Sequence, residues 1–247
     1  MAIHDFKAQR LFVAADLRAG AHIACTDDQA NYLRNVLRLN AGTELLIFNG
    51  RDGEWRARLE FAGKRGGVLE AIEIVRPQAE GPDIHYLFAP LKRARLDYMV
   101  QKATELGVAR LQPVLTRHTV AERVNLDRMR ANAIEAAEQC GILHIPEVAE
   151  PDRLQRVIER WDGDRPLVFC DEAAEEAGPL AALGALRRGP VGLLIGPEGG
   201  FAEDERELLI RQPYTLRLSL GPRIMRADTA AVAALALINA TVGDWSA

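Results

Sequence analysis

The sequence predicts a two-domain α/β protein, with a small β-barrel carrying one helix ahead of a larger domain built on a parallel sheet. Three observations predict it. Residues 1 to about 76 alternate apolar and polar positions in short runs, strand-like and helix-like segments alternate from residue 84 onward, and Arg76–Asp83 between them holds two prolines, a glycine and no apolar periodicity. The expected division is therefore 1–76 for the barrel, 77–83 for a linker and 84–247 for the second domain. With 247 residues, 48% of them apolar, the chain can fill two such cores.

In the first part, Leu11–Val13 and His22–Cys25 read as short strands. Thr26 and Gln29 have the form of a capping box, and Tyr32, Leu33, Val36 and Leu37 recur at helical spacing. A helix is expected to about Leu37, with Arg34 and Arg38 on its exposed side. Glu44–Phe48, the turn signal Asn49-Gly50, the alternating Trp55, Ala57, Leu59 and Phe61, a Gly63–Gly67 turn and a strand or two over Val68–Val75 complete the barrel.

Beyond the linker, Ile84–Ala89 is a strand, and Leu96, Met99, Val100, Ala103 and Leu106 mark one face of a helix that Gly107 stops. Strands follow at Leu111–Leu115, Leu167–Cys170, Val191–Ile195 and Leu216–Leu220, with helices at Arg128–Cys140, Leu154–Trp161, Pro179–Leu186, Glu203–Arg211 and Thr229–Thr241. Such alternation calls for a parallel sheet covered on both faces.

Composition narrows the function. No run approaches the roughly 18 apolar residues of a membrane span, and Met1–Lys7 lacks a leader's basic-then-apolar pattern, so a cytoplasmic protein without a membrane partner is expected. Cys25, Cys140 and Cys170 are widely separated and lack metal-ligand spacing; they are expected to be buried small side chains, and no metal is expected. Net charge is −4, yet residues 91–130 hold nine Lys/Arg against four Asp/Glu, whereas 131–210 hold seven against seventeen. A basic strip beside an acidic flank fits nucleic acid docking on one face, and equally a solvated mixed surface. Candidate RNA contacts are Arg10, Arg34 and Arg38 in the barrel and Lys92, Arg93, Lys102 and Arg117 in the strip.

Two loops near the C-terminus stand out. An apolar strand runs into Gly196, Pro197, Glu198, Gly199 and Gly200, and a second breaks at Gly221-Pro222 before Arg223, Arg226 and Asp228. In an open α/β sheet, ligands sit beyond the carboxyl ends of strands, where both loops would lie. There is no phosphate-binding Gly-x-x-x-x-Gly-Lys-Ser/Thr, no dinucleotide fingerprint and no Gly-x-Ser-x-Gly elbow, which sets aside ATP, NAD and acyl-transfer chemistry. What remains is a pocket of backbone and apolar groups. Ile195, Leu218, Leu220, Ile224 and Met225 could surround a flat aromatic group, the backbone of Gly196–Gly200 and Leu220–Arg223 could read its edges, and Glu198 could assist at a ribose hydroxyl or a cationic centre. Those are the needs of S-adenosylmethionine. A sharp turn flanked by ordinary core residues is the plain alternative.

The stretches Leu194–Phe201 and Leu220–Arg226, with Thr229-Ala230, resemble the signature of the 16S ribosomal RNA uridine-N3 methyltransferases, a family of the knotted SPOUT class. Gln101–Val108, Ala133–Gly141, Ile145-Pro146, Arg10–Val13 and Val36–Arg38 resemble it too. The resemblance covers essentially the whole chain. It implies an N-terminal PUA-like RNA-binding barrel, a C-terminal domain threaded through a deep trefoil knot that holds S-adenosylmethionine, a homodimer, and a uridine near the 3′ end of 16S rRNA on the 30S subunit. Asp228 stands where the family usually has glutamate, Ile142 where an arginine often follows the glycine, and His118 in a segment that is usually more acidic.

Uridine N3 must lose a proton before it attacks a methyl group, and negative charge then spreads to O2 and O4. Asp228 is the candidate for the first task and Arg226 for the second, against plain roles as a helix-start acid and a packing or pairing arginine. Rival readings are another RNA base or ribose 2′-O methyltransferase of the same class, and a non-catalytic RNA-binding assembly factor.

Overall fold

A computed structural model describes residues 8–63, 66–121, 123–174 and 178–246. The chain forms two compact units, the first running to Glu80 and taking in Ala137–Ile145, the second formed by Gly81–Ala136 and the residues from Pro146 onward. The return of 137–145 to the first unit has no counterpart in the sequence reading of an uninterrupted domain from residue 84.

In the first unit, β1 (Arg10–Phe12), β2 (His22–Ala24), β3 (Glu44–Phe48), β4 (Glu54–Ala62) and β5 (Gly66–Arg76) form a five-stranded sheet in the order β1-β3-β4-β5-β2. Only β1 and β3 pair in parallel. Val68–Val75 lies within a single long strand, and the expected Gly63–Gly67 turn includes Lys64 and Arg65, which lie outside the described residues. Period-2 alternation sends Leu11, Leu45, Ile47, Ala57, Leu59, Leu69 and Ala71 into one core with Leu33. Phe12 and Phe48 point the other way and pack with Ala137, Ile142, Leu143 and Ile145, which explains why that segment returns.

The capping box forms as expected: Gln29 N–H donates to Thr26 Oγ1 at 3.2 Å and Thr26 N–H to Gln29 Oε1 at 3.0 Å, starting helix α1 (Asp27–Asn31). A π-helical turn, Tyr32–Val36, extends it. The expected turn at Asn49-Gly50 lies in the loop, residues 49–53, that joins the antiparallel β3 and β4. The buried Asn49 side chain accepts from the N–H groups of Arg51 and Asp52 and donates to Ala15 O, which orders this loop.

In the second unit, β6 (Ile84–Phe88), β7 (Arg110–Leu115), β8 (Glu147–Val148), β10 (Leu167–Cys170), β11 (Val191–Ile195) and β12 (Thr215–Leu218) lie in the order β12-β10-β11-β6-β7-β8, and β9 (Asp152–Arg153) adds to β7. All these pairs are parallel. The helices are α2 (Arg93–Glu105), α3 (Leu126–Cys140, which ends in the first unit), α4 (Leu154–Glu159), α5 (Pro179–Gly184), α6 (Glu203–Ile210) and α7 (Ala227–Thr241). Both faces of the sheet are covered, as its near-continuous apolar strands require. Leu87, Val114, Phe169 and Leu194 pack under α4 and α6 through Leu154, Ile158 and Leu209. On α2 and α7, which pack together, Met99, Val100, Ala103, Ala234, Leu235 and Ile238 are buried, each large side chain contributing roughly 1.5–3 kcal/mol. Two of the three cysteines are half-buried; Cys140 is exposed, correcting the expectation of a uniformly buried set.

Candidate cofactor cleft and charged cluster

Strands β11, β10 and β12 are neighbours and run parallel, so the loops leaving their carboxyl ends converge. They border a cleft of about 680 Å³, within the range of small-molecule sites. Every residue expected to contact the cofactor lies on it: Ile195, Gly196, Pro197, Glu198, Gly199 and Gly200 from one loop, and Leu218, Leu220, Gly221, Arg223, Ile224 and Met225 from the other. Ile195 and Leu218 form buried wall, but the Ile224 side chain is 93% exposed and sits at the mouth.

The glycine loop is built by close approach. A Cβ on Gly196 would stand 2.4 Å from the Phe201 ring, and Gly200 has φ +69°, a conformation side chains disfavour. Phe201 in turn meets Phe169 edge-to-face at 5.2 Å. Glu205 then accepts from Ala202 N–H at 3.1 Å, covering a free donor at the start of α6. From the loop after β7, His118 Nδ1 reaches the carbonyls of Gly199 and Gly200 at 3.2 and 3.1 Å, and Arg117 N–H donates to Glu205 at 2.8 Å.

A third wall, absent from the sequence reading, comes from β10 and its loop: Phe169, Cys170, Asp171, Glu172 and Ala173. Asp171, only 5% exposed, accepts from Arg206 at 3.0 Å and from Arg217 at 2.8 Å, joining α6, β12 and this loop. Burial pushes its carboxyl up, but the bonds from Arg206, Ala173 N–H and Arg217 outweigh that and hold it below the ordinary aspartate value. Burial of the thiol pushes Cys170 up to about 12, which disfavours the thiolate. The strand ending at Cys170 was the available signal; what it lacked was the sheet order that places it between the other two.

A charged cluster meets the glycine loop. Glu198 pairs with Arg95 of α2, and this bond is the main cause that holds its carboxyl below the ordinary glutamate pKa, with the charges of Arg95, Lys92 and Arg226 adding to the effect. Arg226 is the exposed N-cap residue of α7, its carbonyl accepting from Ala230 N–H at 2.8 Å. Asp228, in the first turn, accepts from Thr229 N–H at 3.1 Å and acts electrostatically on Arg95 and Tyr86. Neither Arg226 nor Asp228 borders the cleft itself. Arg95 was not singled out by sequence, since an arginine on a basic helix looks like its neighbours.

The expected RNA contacts divide. Arg10 is corrected: its side chain is 5% exposed and bonded to the buried Glu54 at 3.0 Å, so it serves the interior of the first unit. Arg34 is half-buried, its guanidinium 4.2 Å over the Phe61 ring and donating to the carbonyls of Gly63 and Gly66. Arg38 is exposed and has φ 55°. In the second unit, Lys92 and Arg93 are exposed where α2 begins, Lys102 bonds Glu105 at 2.6 Å, and the exposed Arg117 pairs with Asp204 at 2.5 Å. Among the described residues no acidic, histidine and cysteine group could hold a metal ion, and no helix is long and apolar enough to cross a membrane.

Known proteins resemble this chain over both of its parts. A family model described as an RNA methyltransferase domain matches residues 79–239, and one described as an RNA methyltransferase PUA domain matches 26–72. The chain is 33% identical to ribosomal RNA small subunit methyltransferase E of Synechocystis, covering 94% of this chain and 78% of that protein. It is 30% identical to the Rickettsia conorii protein of the same name, over 94% and 96%. Among solved structures, a Legionella pneumophila protein described as a methyltransferase, with the cofactor SAM bound, superposes with a TM-score of 0.86 at 28% identity, covering 96% and 99% of the two chains. Small subunit methyltransferase E of Neisseria gonorrhoeae, bound to S-adenosyl methionine, gives 0.83 at 25% identity and the same coverage.

Proposed function

The chain belongs to the ribosomal RNA small subunit methyltransferase E family of RNA methyltransferases, and from that membership we propose that it methylates N3 of a uridine near the 3′ end of 16S rRNA in the 30S subunit. The observation that carries the reading is the convergence of all twelve expected cofactor residues on one cleft at the carboxyl ends of β11 and β12.

The cleft fits S-adenosylmethionine in size and chemistry. Ile195, Leu218 and Phe169 offer a dry wall for the adenine, and the loop backbone offers hydrogen-bonding groups at its edge. Bound there, the cofactor supplies an electrophilic methyl group. The residues of the chain then have three tasks. Asp228 takes the proton from N3, Arg226 stabilises the charge that develops on O2 and O4, and the glycine loop holds the methyl donor in line with N3. The target uridine is splayed out of pairing, because N3 lies on its Watson–Crick edge. Arg38, Lys92, Arg93, Lys102 and Arg117 supply phosphate contacts. The active species is a homodimer whose C-terminal chain passes through a trefoil knot at the cofactor cleft, a reading that rests on the family membership alone.

The test is methyl transfer from labelled S-adenosylmethionine to 30S subunits lacking the modification and to free rRNA, with the modified atom mapped by mass spectrometry. Label at uridine N3 on 30S subunits is expected. Label at a ribose 2′-hydroxyl or another base overturns the atom, and cofactor binding without transfer to either RNA favours an assembly factor.

A further inference from the structure

We propose that Arg95 is an anchor for an RNA phosphodiester, and that Glu198 of the cofactor loop occupies this anchor until RNA arrives. The inference rests on the methyltransferase reading and adds to it a link between the two substrates.

Arg95 lies on α2 and Glu198 on the loop after β11, 103 residues apart, so their bond ties the basic helix to the cofactor cleft that Glu198 borders. A guanidinium fork donates to carboxylate and to phosphate oxygens in the same geometry. The pair is open to exchange, with the Arg95 side chain 30% and the Glu198 side chain 48% exposed, and exposed ion pairs hold weakly. Its surroundings favour an incoming anion. Lys92, Arg95 and Arg226 bear on Glu198 while Asp228 bears on Arg95, leaving three cations against two carboxylates. A phosphate that takes Arg95 releases Glu198 toward the cleft, where a carboxylate alters how a cationic cofactor is held. RNA and cofactor affinities then become coupled, and linkage makes the coupling reciprocal. A purely structural brace between α2 and the loop would instead be indifferent to RNA.

The test is steady-state methyl transfer to 30S subunits lacking the modification by wild-type protein and by Arg95→Ala, Arg95→Lys and Glu198→Gln. Arg95→Ala is expected to raise KM for 30S subunits at least about tenfold and to lower the salt slope of RNA binding by about one. Because Glu198 is released in this variant too, its affinity for S-adenosylmethionine without RNA shifts by at least about fivefold, and Arg95→Lys restores the salt slope but only part of the KM, since it keeps the charge and loses the fork. Glu198→Gln lowers KM for 30S subunits, since it removes the competing carboxylate. An unchanged KM and salt slope in Arg95→Ala, or a loss confined to kcat, overturns the phosphate anchor. A KM not lowered by Glu198→Gln overturns the masking role. Wild-type protein that transfers no methyl group removes the enzyme reading itself, a failure distinct from both.

Discussion

Phe201 lies so close to Gly196 that a Cβ on the glycine would stand 2.4 Å from its ring. The ring is in turn braced by Phe169 at 5.2 Å, so it has little room to retreat. Gly196→Ala should therefore displace the cofactor loop, cost about 1–3 kcal/mol of stability and weaken S-adenosylmethionine binding at least about tenfold. Calorimetric titration checks this; an unchanged Kd would show that the loop does not depend on that contact.

Asp171 holds Arg206 and Arg217 with a side chain 4% exposed. Asp171→Asn should destabilise the second unit by about 3–5 kcal/mol, because two guanidinium groups lose their charged partner. The sign with pH follows from its lowered pKa. The contribution is full above the ordinary aspartate value of 3.8 and is lost as pH falls below it toward the depressed folded value. Denaturant melts of wild type and variant across the acid range should converge at low pH, and a gap that stays constant would remove Asp171 from the acid response.

Arg226→Ala should leave S-adenosylmethionine affinity intact while abolishing methyl transfer to 30S subunits, since Arg226 sits outside the cleft lining. Asp228→Asn should lower kcat by about 10²–10⁴, the range for a lost general base. Normal turnover by either variant removes that residue from the chemistry and leaves positioning by the glycine loop as the main contribution.

Replacing Lys92 and Arg93 together by alanine should flatten the salt dependence of RNA binding by roughly 1.5 in log–log slope. Arg10→Ala should leave that slope unchanged and instead destabilise the first unit, because it strips one of two arginines from the buried Glu54. A slope insensitive to Lys92 and Arg93 rules them out as phosphate contacts; one sensitive to Arg10 reinstates it.

Much of the fold was legible in the sequence. Every main strand and helix appears within a few residues of its expected place, from the capping box at Thr26 to the small-residue helix α7, because period and capping are local properties. The turn at Asn49-Gly50 was legible, but not that the Asn49 side chain orders a loop over residues 49–53 by accepting from Arg51 and Asp52 N–H. The short β8 and β9 were missed because two residues carry no periodicity.

By itself the sequence determined which backbone could line a cofactor cleft, since a run such as Gly196–Gly200 is open to conformations closed to other residues. Only the tertiary structure decided which side chains attend it. Sheet order brought the β10 loop and Asp171 between the two expected loops, packing gave Glu198 its partner Arg95 from 103 residues away, and Glu54 drew Arg10 inward. Charge pairing over such separations depends on which strands become neighbours, and no local pattern of residues encodes that.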